Sequence, residues 1–132
     1  MLVDQKTEQG VSVPFFGREA PTTPAPATLA LKLGASLLPT SNERLKGARF
    51  RVRIRPPIQF APTGNQDADV LALTAKINEA IETCVRERPS QWLWIHRRWK
   101  TARDATKNLG KEKAHALSGA GVAVEHDGSS RI

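Results

Sequence analysis

Three features of the chain predict an α/β fold. A helix-period apolar stripe runs over residues 70–85, a strict two-residue alternation runs over 48–55, and an Ala- and Leu-rich stretch lies between Pro24 and Gly34. Their order of strand, helix, strand, strand and long helix fits a layered sheet with helices packed on it, with parallel strand order inferred from that alternation.

Taken in order, Leu2 and Val3 followed by Asp4 read as the end of a buried strand entered abruptly at Met1, so an upstream part of the fold is expected. Val11, Val13 and Phe15 alternate with Ser12 and Pro14 up to a turn at Gly17, and Pro14 argues against a central strand. Thr22 or Thr23 is suited to cap a helix that starts near Pro24 and stops at Gly34; its Ala and Leu content predicts a buried helix. Residues 36–39 predict a short apolar strand closed by Thr40, Ser41 and Asn42, and Lys46 with Gly47 makes a turn.

Over 48–55, Phe50, Val52 and Ile54 point one way and Arg49, Arg51, Arg53 and Arg55 the other, which predicts a strand with one wet, strongly basic face. Pro56 and Pro57 break it, and a loop leads to Asp67 as the expected helix cap. Val70, Leu73, Ile77, Ile81, Cys84 and Val85 then recur at three and four residues, ending before Pro89. Residues 1–100 are expected to do the folding. Apolar content falls after Lys100, so 101–132 reads as a polar, disordered extension, with a short helix over 107–117 compatible with its composition.

Charge is concentrated in the folded part, where residues 1–100 hold 15 Lys or Arg against 9 Asp or Glu, a balance of +6. Nucleic acid, phospholipid headgroups, phosphorylated sugars and the phosphopantetheine of an acyl carrier are all anionic partners compatible with it. Cys84 is the only cysteine, which excludes an internal disulfide, and the three histidines are too widely spaced to suggest a metal site. No apolar run approaches the roughly 18 residues of a spanning helix, so membrane contact is expected to be peripheral.

Several polar clusters carry two readings each. The arginines of 49–55 form a phosphate-facing stripe or a charged edge that discourages strand pairing. Trp92, Trp94 and Trp99 close the core behind the long helix or stack on bases; without a wider aromatic series, no specific nucleic acid is expected. Arg97, Arg98 and Lys100, beside these rings, suit lipid headgroups. His96 is a poor base, because Arg97 and Arg98 oppose the imidazolium that proton abstraction would form; an anion-contacting or structural role fits it better.

The stretches MLVDQ, VPFFGREAPTTPAPATLAL and QWLWIHRRWK resemble, in order and spacing, landmarks of the bacterial lipid A lauroyl and myristoyl acyltransferases. The resemblance covers roughly residues 1–100. It marks Asp4, Gln5, Phe15, Phe16, Gly17, Thr22, Arg44, Gln91, Trp92, Trp94, His96, Arg97 and Arg98. It implies the C-terminal portion of a glycerolipid-acyltransferase-like mixed sheet with flanking helices, the N-terminal part being absent. Substrate-binding roles are implied for Asp4, Arg44, His96, Arg97 and Arg98, with no cofactor and no metal.

Enzymes of that family have a membrane helix and a catalytic histidine with an acidic residue five positions on. Here those positions are Thr101 after His96, Ala120 after His115 and Arg131 after His126, so both features are expected before Met1 and no catalytic residue is assigned. The implied reaction moves a fatty acyl group from an acyl carrier protein thioester to a Kdo-lipid A precursor at the cytoplasmic face of the bacterial inner membrane. This chain would be an inactive, peripheral fragment of that enzyme. The alternative is a basic peripheral protein that binds anionic membrane surfaces.

Overall fold

The structure is a computed structural model that describes Met1, Val3, residues 6–94, Arg98 and Trp99. The expected extension over 101–132 lies outside the described residues.

Strands β1 (Lys6–Phe15) and β2 (Arg18–Thr22) form an antiparallel hairpin in which Val13 faces Ala20 and Phe15 faces Arg18. Phe16 and Gly17 make the turn with φ of 51° and 72°, the positive values that a tight hairpin turn needs. Asn is the usual first residue of such a turn. Phe16 is held there instead by its backbone N–H, which donates to Glu82 Oε1 at 2.7 Å, and by an edge contact with Phe15 at 4.8 Å. At Gly10 a side chain would meet the Thr22 carbonyl oxygen at 2.6 Å, so only glycine fits where the strands approach.

Helix α1 (Ala25–Leu33) has Pro24 at its N-cap position, which offers no side-chain cap; of the two expected threonines, Thr23 accepts from the Ala25 N–H through its hydroxyl at 3.4 Å, while Thr22 belongs to β2 and its hydroxyl is used elsewhere. Gly34, at φ 62°, ends the helix, and the Ala35 N–H returns to the Ala30 carbonyl. The expectation of a buried helix holds for Pro26, Ala27 and Ala30 only, since Leu29 and Leu33 are exposed.

The strand expected over 36–39 is not formed: 35–39 has no regular structure, and β3 is Thr40–Arg44, which takes in the Thr40, Ser41 and Asn42 expected to close it. A turn at Gly47 leads to β4 (Phe50–Ile54), antiparallel to β3, with Arg44 opposite Phe50 and Asn42 opposite Val52. Parallel order is therefore overturned among the described residues. They form two separate antiparallel ribbons in a small mixed α and β fold, because each strand's partner is its hairpin neighbour.

Helix α2 (Gln66–Glu87) extends the predicted stripe by a turn at its start. Its cap is Asn65 rather than Asp67: Asn65 Oδ1 accepts from the Ala68 N–H at 3.2 Å. Asp69 is buried, accepting from the N–H groups of Thr63 and Gly64 and from the Thr63 hydroxyl, which fastens the preceding loop to the first turn. These donors, led by the Thr63 N–H, hold the Asp69 carboxyl below its ordinary pKa. A 3-10 turn, Pro89–Gln91, follows.

Two faces of α2 organise the core. Leu73 and Ile77 meet Ala27 and Ala30 of α1, with Val70, Ile81, Leu37, Ile58 and Phe60 around them. Thr74, Asn78 and Val85 are buried on the adjacent face, and Asn78 and Glu82 there bond the β1–β2 hairpin. No helix among the described residues is long and apolar enough to cross a membrane.

Candidate functional site

Aromatic and polar residues far apart in sequence converge on the β1–β2 hairpin. Thr22 Oγ1 donates to the Ala20 carbonyl and accepts from Asn78 Nδ2 at 3.1 Å and Arg98 Nη2 at 2.7 Å, which uses every bond a hydroxyl can make. Asn78 Nδ2 also donates to the Pro14 carbonyl at 2.9 Å, and Asn78 Oδ1 accepts from Arg98 Nη2 at 3.2 Å. Arg98 Nη1 donates to the Pro21 carbonyl at 2.6 Å, and its guanidinium lies 5.1 Å from the Phe15 ring centre. Trp99 stacks on Phe15 at 5.6 Å and donates through Nε1 to the Phe15 carbonyl at 3.1 Å, while Trp92 reaches the same ring at 6.3 Å. The segment after α2 is thereby clasped onto the hairpin.

Beside this clasp, an apolar groove of about 600 Å³ runs between α1, α2 and the segment 35–42. Leu29 and Leu33 of α1, Ile77 and Ile81 of α2, Leu37 and Trp92 supply much of its wall, and Arg88 contributes a charge. That size falls within the range of about 300–1,000 Å³ usual for small-molecule sites. Trp92 lines the groove together with Ile77 and Ile81, and its ring contact is with Phe15.

The β3–β4 ribbon adjoins the groove; its basic face is wet, as expected, but its other face is exposed as well. Its arginine face is the paired one: Arg51, Arg53 and Arg88 all reach Glu43, and Arg55 pairs with Glu87 at 2.7 Å. The arginine contacts, first Arg53 on Glu43 and Arg55 on Glu87, hold both carboxyls below their usual pKa. Phe50, Val52 and Ile54, expected to be the inner row, are 63%, 60% and 68% exposed. The reason is that the acidic partners, Glu43 and Glu87, lie on the arginine side, and among the described residues no element packs extensively on the other.

Among the sequence-predicted site residues, Arg44 lies at the end of β3, exposed, with its backbone bonded to the Gln91 side chain. Arg98 is 1% exposed and donates to the chain's own oxygens. The structure does not bring these two together around one pocket. Asp4, His96 and Arg97 lie outside the described residues.

Asn78, Glu82, Glu43 and Arg88 were not singled out from sequence. Thr74, Asn78 and Glu82 recur every four residues along one side of α2, a polar stripe that reads as a solvated face until a hairpin is seen to offer it carbonyl and N–H partners. Glu43 gave a weaker signal: it is the only acidic residue between Glu19 and Asp67, so the arginines around it have no other near choice in sequence.

The described residues thus bring together an apolar groove walled by two helices, an aromatic clasp and a cationic ribbon. The family model for the bacterial lipid A biosynthesis acyltransferase matches residues 1–101. The chain is 34% identical over 100 residues to the lipid A biosynthesis lauroyltransferase of Escherichia coli (strain K12), covering 74% of this chain and 31% of that protein. It is 34% identical over 90 residues to the lipid A biosynthesis palmitoleoyltransferase of the same organism and to a lipid A biosynthesis acyltransferase of Shigella flexneri, covering 67% of this chain and 28% of each. The chain belongs to the bacterial lipid A biosynthesis acyltransferase family. It spans less than a third of the length of these relatives.

Proposed function

We propose that the chain is the C-terminal portion of a glycerolipid-acyltransferase-like domain, and that its groove holds the fatty acyl chain during transfer to a lipid A precursor. The donor is an acyl carrier protein thioester. The precursor's hydroxyl attacks the thioester carbonyl, its proton passes to a general base, and the carrier's thiolate leaves. No histidine here has an acidic residue five positions on, so these 132 residues are inactive alone and the base comes from elsewhere. The work is done at the cytoplasmic face of the bacterial inner membrane, against which the chain sits peripherally.

The observation that carries this reading is the groove, whose mostly apolar walls suit a hydrocarbon chain. Asp4, Arg44, His96 and Arg97 contact the polar parts of the substrates in this scheme. Arg98 contributes from beneath, holding the β1–β2 hairpin to α2. Kinship to a lauroyltransferase and a palmitoleoyltransferase supports a fatty acyl substrate.

An assay of the purified chain with acyl-loaded carrier protein and the Kdo-lipid A precursor tests it. No acylated product is expected. Turnover that survives Asp4→Ala and His96→Ala would overturn the assignment of an incomplete site.

A second reading, a basic protein held at anionic membrane surfaces, is supported by the six cations and no acid from Arg44 to Arg55. The two are compatible, since an enzyme acting on a membrane lipid must reach the bilayer.

A further inference from the structure

We propose that the exposed face of the β3–β4 ribbon is a docking surface for an anionic phospholipid bilayer. This rests on the membrane-surface reading above and assigns that contact to particular residues.

The register puts Phe50, Val52 and Ile54 in a row, with Arg44, Asn42 and Thr40 directly across from them on the same face. All six are exposed. Three large apolar side chains in a line on a two-stranded ribbon are costly to leave in water, and contiguous exposed apolar surface of this kind marks an interaction site.

The charges around the row indicate what covers it. Arg44 shares the face beside Phe50, and Lys46 and Arg49 sit at the turn. From Arg44 to Arg55 there are six cations and no acid. Glu43, just before them, already meets Arg51, Arg53 and Arg88 on the opposite side of the ribbon, leaving cationic charge in excess there as well. Apolar side chains that enter the boundary between headgroups and acyl chains, rimmed by cations at phosphate level, match an anionic bilayer. Arg98 of the tryptophan–arginine block is buried and does not itself face headgroups.

The test is co-sedimentation of the 132-residue chain with vesicles of phosphatidylcholine, with and without phosphatidylglycerol. Binding should need phosphatidylglycerol and weaken with salt. The triple variant Phe50→Ser, Val52→Ser, Ile54→Ser should lose about tenfold or more in partitioning. Lys46→Gln with Arg49→Gln should lose about fivefold per charge and flatten the salt dependence. These side chains are exposed, so an unchanged far-UV circular dichroism spectrum is expected. A polarity-sensitive dye at Val52→Cys, in a Cys84→Ser background, should shift to the blue with anionic vesicles. Vesicle binding by the parent chain that both variants retain would overturn the ribbon as the contact while leaving the membrane reading standing. No binding by the parent chain would overturn both. Concentration-dependent self-association lost in the triple variant, without any change in vesicle binding, would give the face to a second copy of the chain and overturn the inference.

Discussion

The side chain of Gln91 bonds both backbone groups of Arg44: the Arg44 N–H donates to Gln91 Oε1 at 2.8 Å, and Gln91 Nε2 donates to the Arg44 carbonyl at 3.1 Å. A primary amide thus takes the place of a neighbouring strand at the outer edge of β3, tying the turn after α2 to the ribbon. The family resemblance marks both residues, and the structure gives the pair a joint role in positioning Arg44.

Gln91→Ala should therefore loosen the ribbon at a cost of about 1 kcal/mol, since the freed groups are exposed and water replaces part of the loss. Gln91→Glu keeps the acceptor and loses the donor, so a smaller loss is expected. Hydrogen exchange at the Arg44 amide, with urea unfolding, checks both. Unchanged exchange in Gln91→Ala would mean the bond pair does not hold the edge.

The Thr22, Asn78 and Arg98 cluster should behave as one unit. Thr22→Val leaves the Asn78 amide and the Arg98 guanidinium each short of an acceptor in a buried site, and about 2 kcal/mol of stability should go. Asn78→Ala should cost a similar amount. In a double-mutant cycle by urea unfolding, the two losses should fall short of additivity by roughly 1–2 kcal/mol, because they share partners. Strict additivity would show that the bonds act independently.

Acid should weaken the fold through Asp69, Glu43 and Glu87. All three have folded-state pKa values below their ordinary ones, so the stability they bring is complete above about pH 4 and is lost as pH falls through the lowered values. Tm should drop across that acid range, and Asp69→Asn should lower Tm at neutral pH while making the acid slope shallower. A slope identical to that of the parent chain would remove Asp69 from the acid response.

Much of the scaffold was legible where local periodicity and tertiary environment agree. Val70, Leu73, Ile77 and Ile81 announce α2, and Gly34 stops α1 because it alone enters the left-handed region without strain. Legibility failed where the partner decided the outcome. The alternation over 48–55 located β4 but not which of its faces is partnered, since that depended on Glu43 and Glu87, distant in sequence from one another. Strand β2 was missed because Arg18–Thr22 has no apolar alternation, and what marks it is a Phe-Gly turn in place of the usual Asn-Gly. The groove had no signature in sequence, being a shape left between helices whose packing no short motif encodes.

Filling the groove should compete with any hydrocarbon it takes. Ala80 is half-buried in its wall, so Ala80→Trp should weaken binding of a fluorescent fatty acid by about tenfold or more with little effect on α2 itself. Unaltered affinity would place the fatty acid elsewhere.

The proposal that the groove is the acyl-chain site is tested most directly by photolabelling the chain with a diazirine-bearing fatty acid and mapping the adducts by mass spectrometry. Adducts are expected on groove-lining residues such as Ile81, Cys84 and Trp92, and they should vanish with excess unlabelled fatty acid. Adducts confined to Phe50, Val52 and Ile54, or labelling that unlabelled fatty acid does not displace, would contradict it.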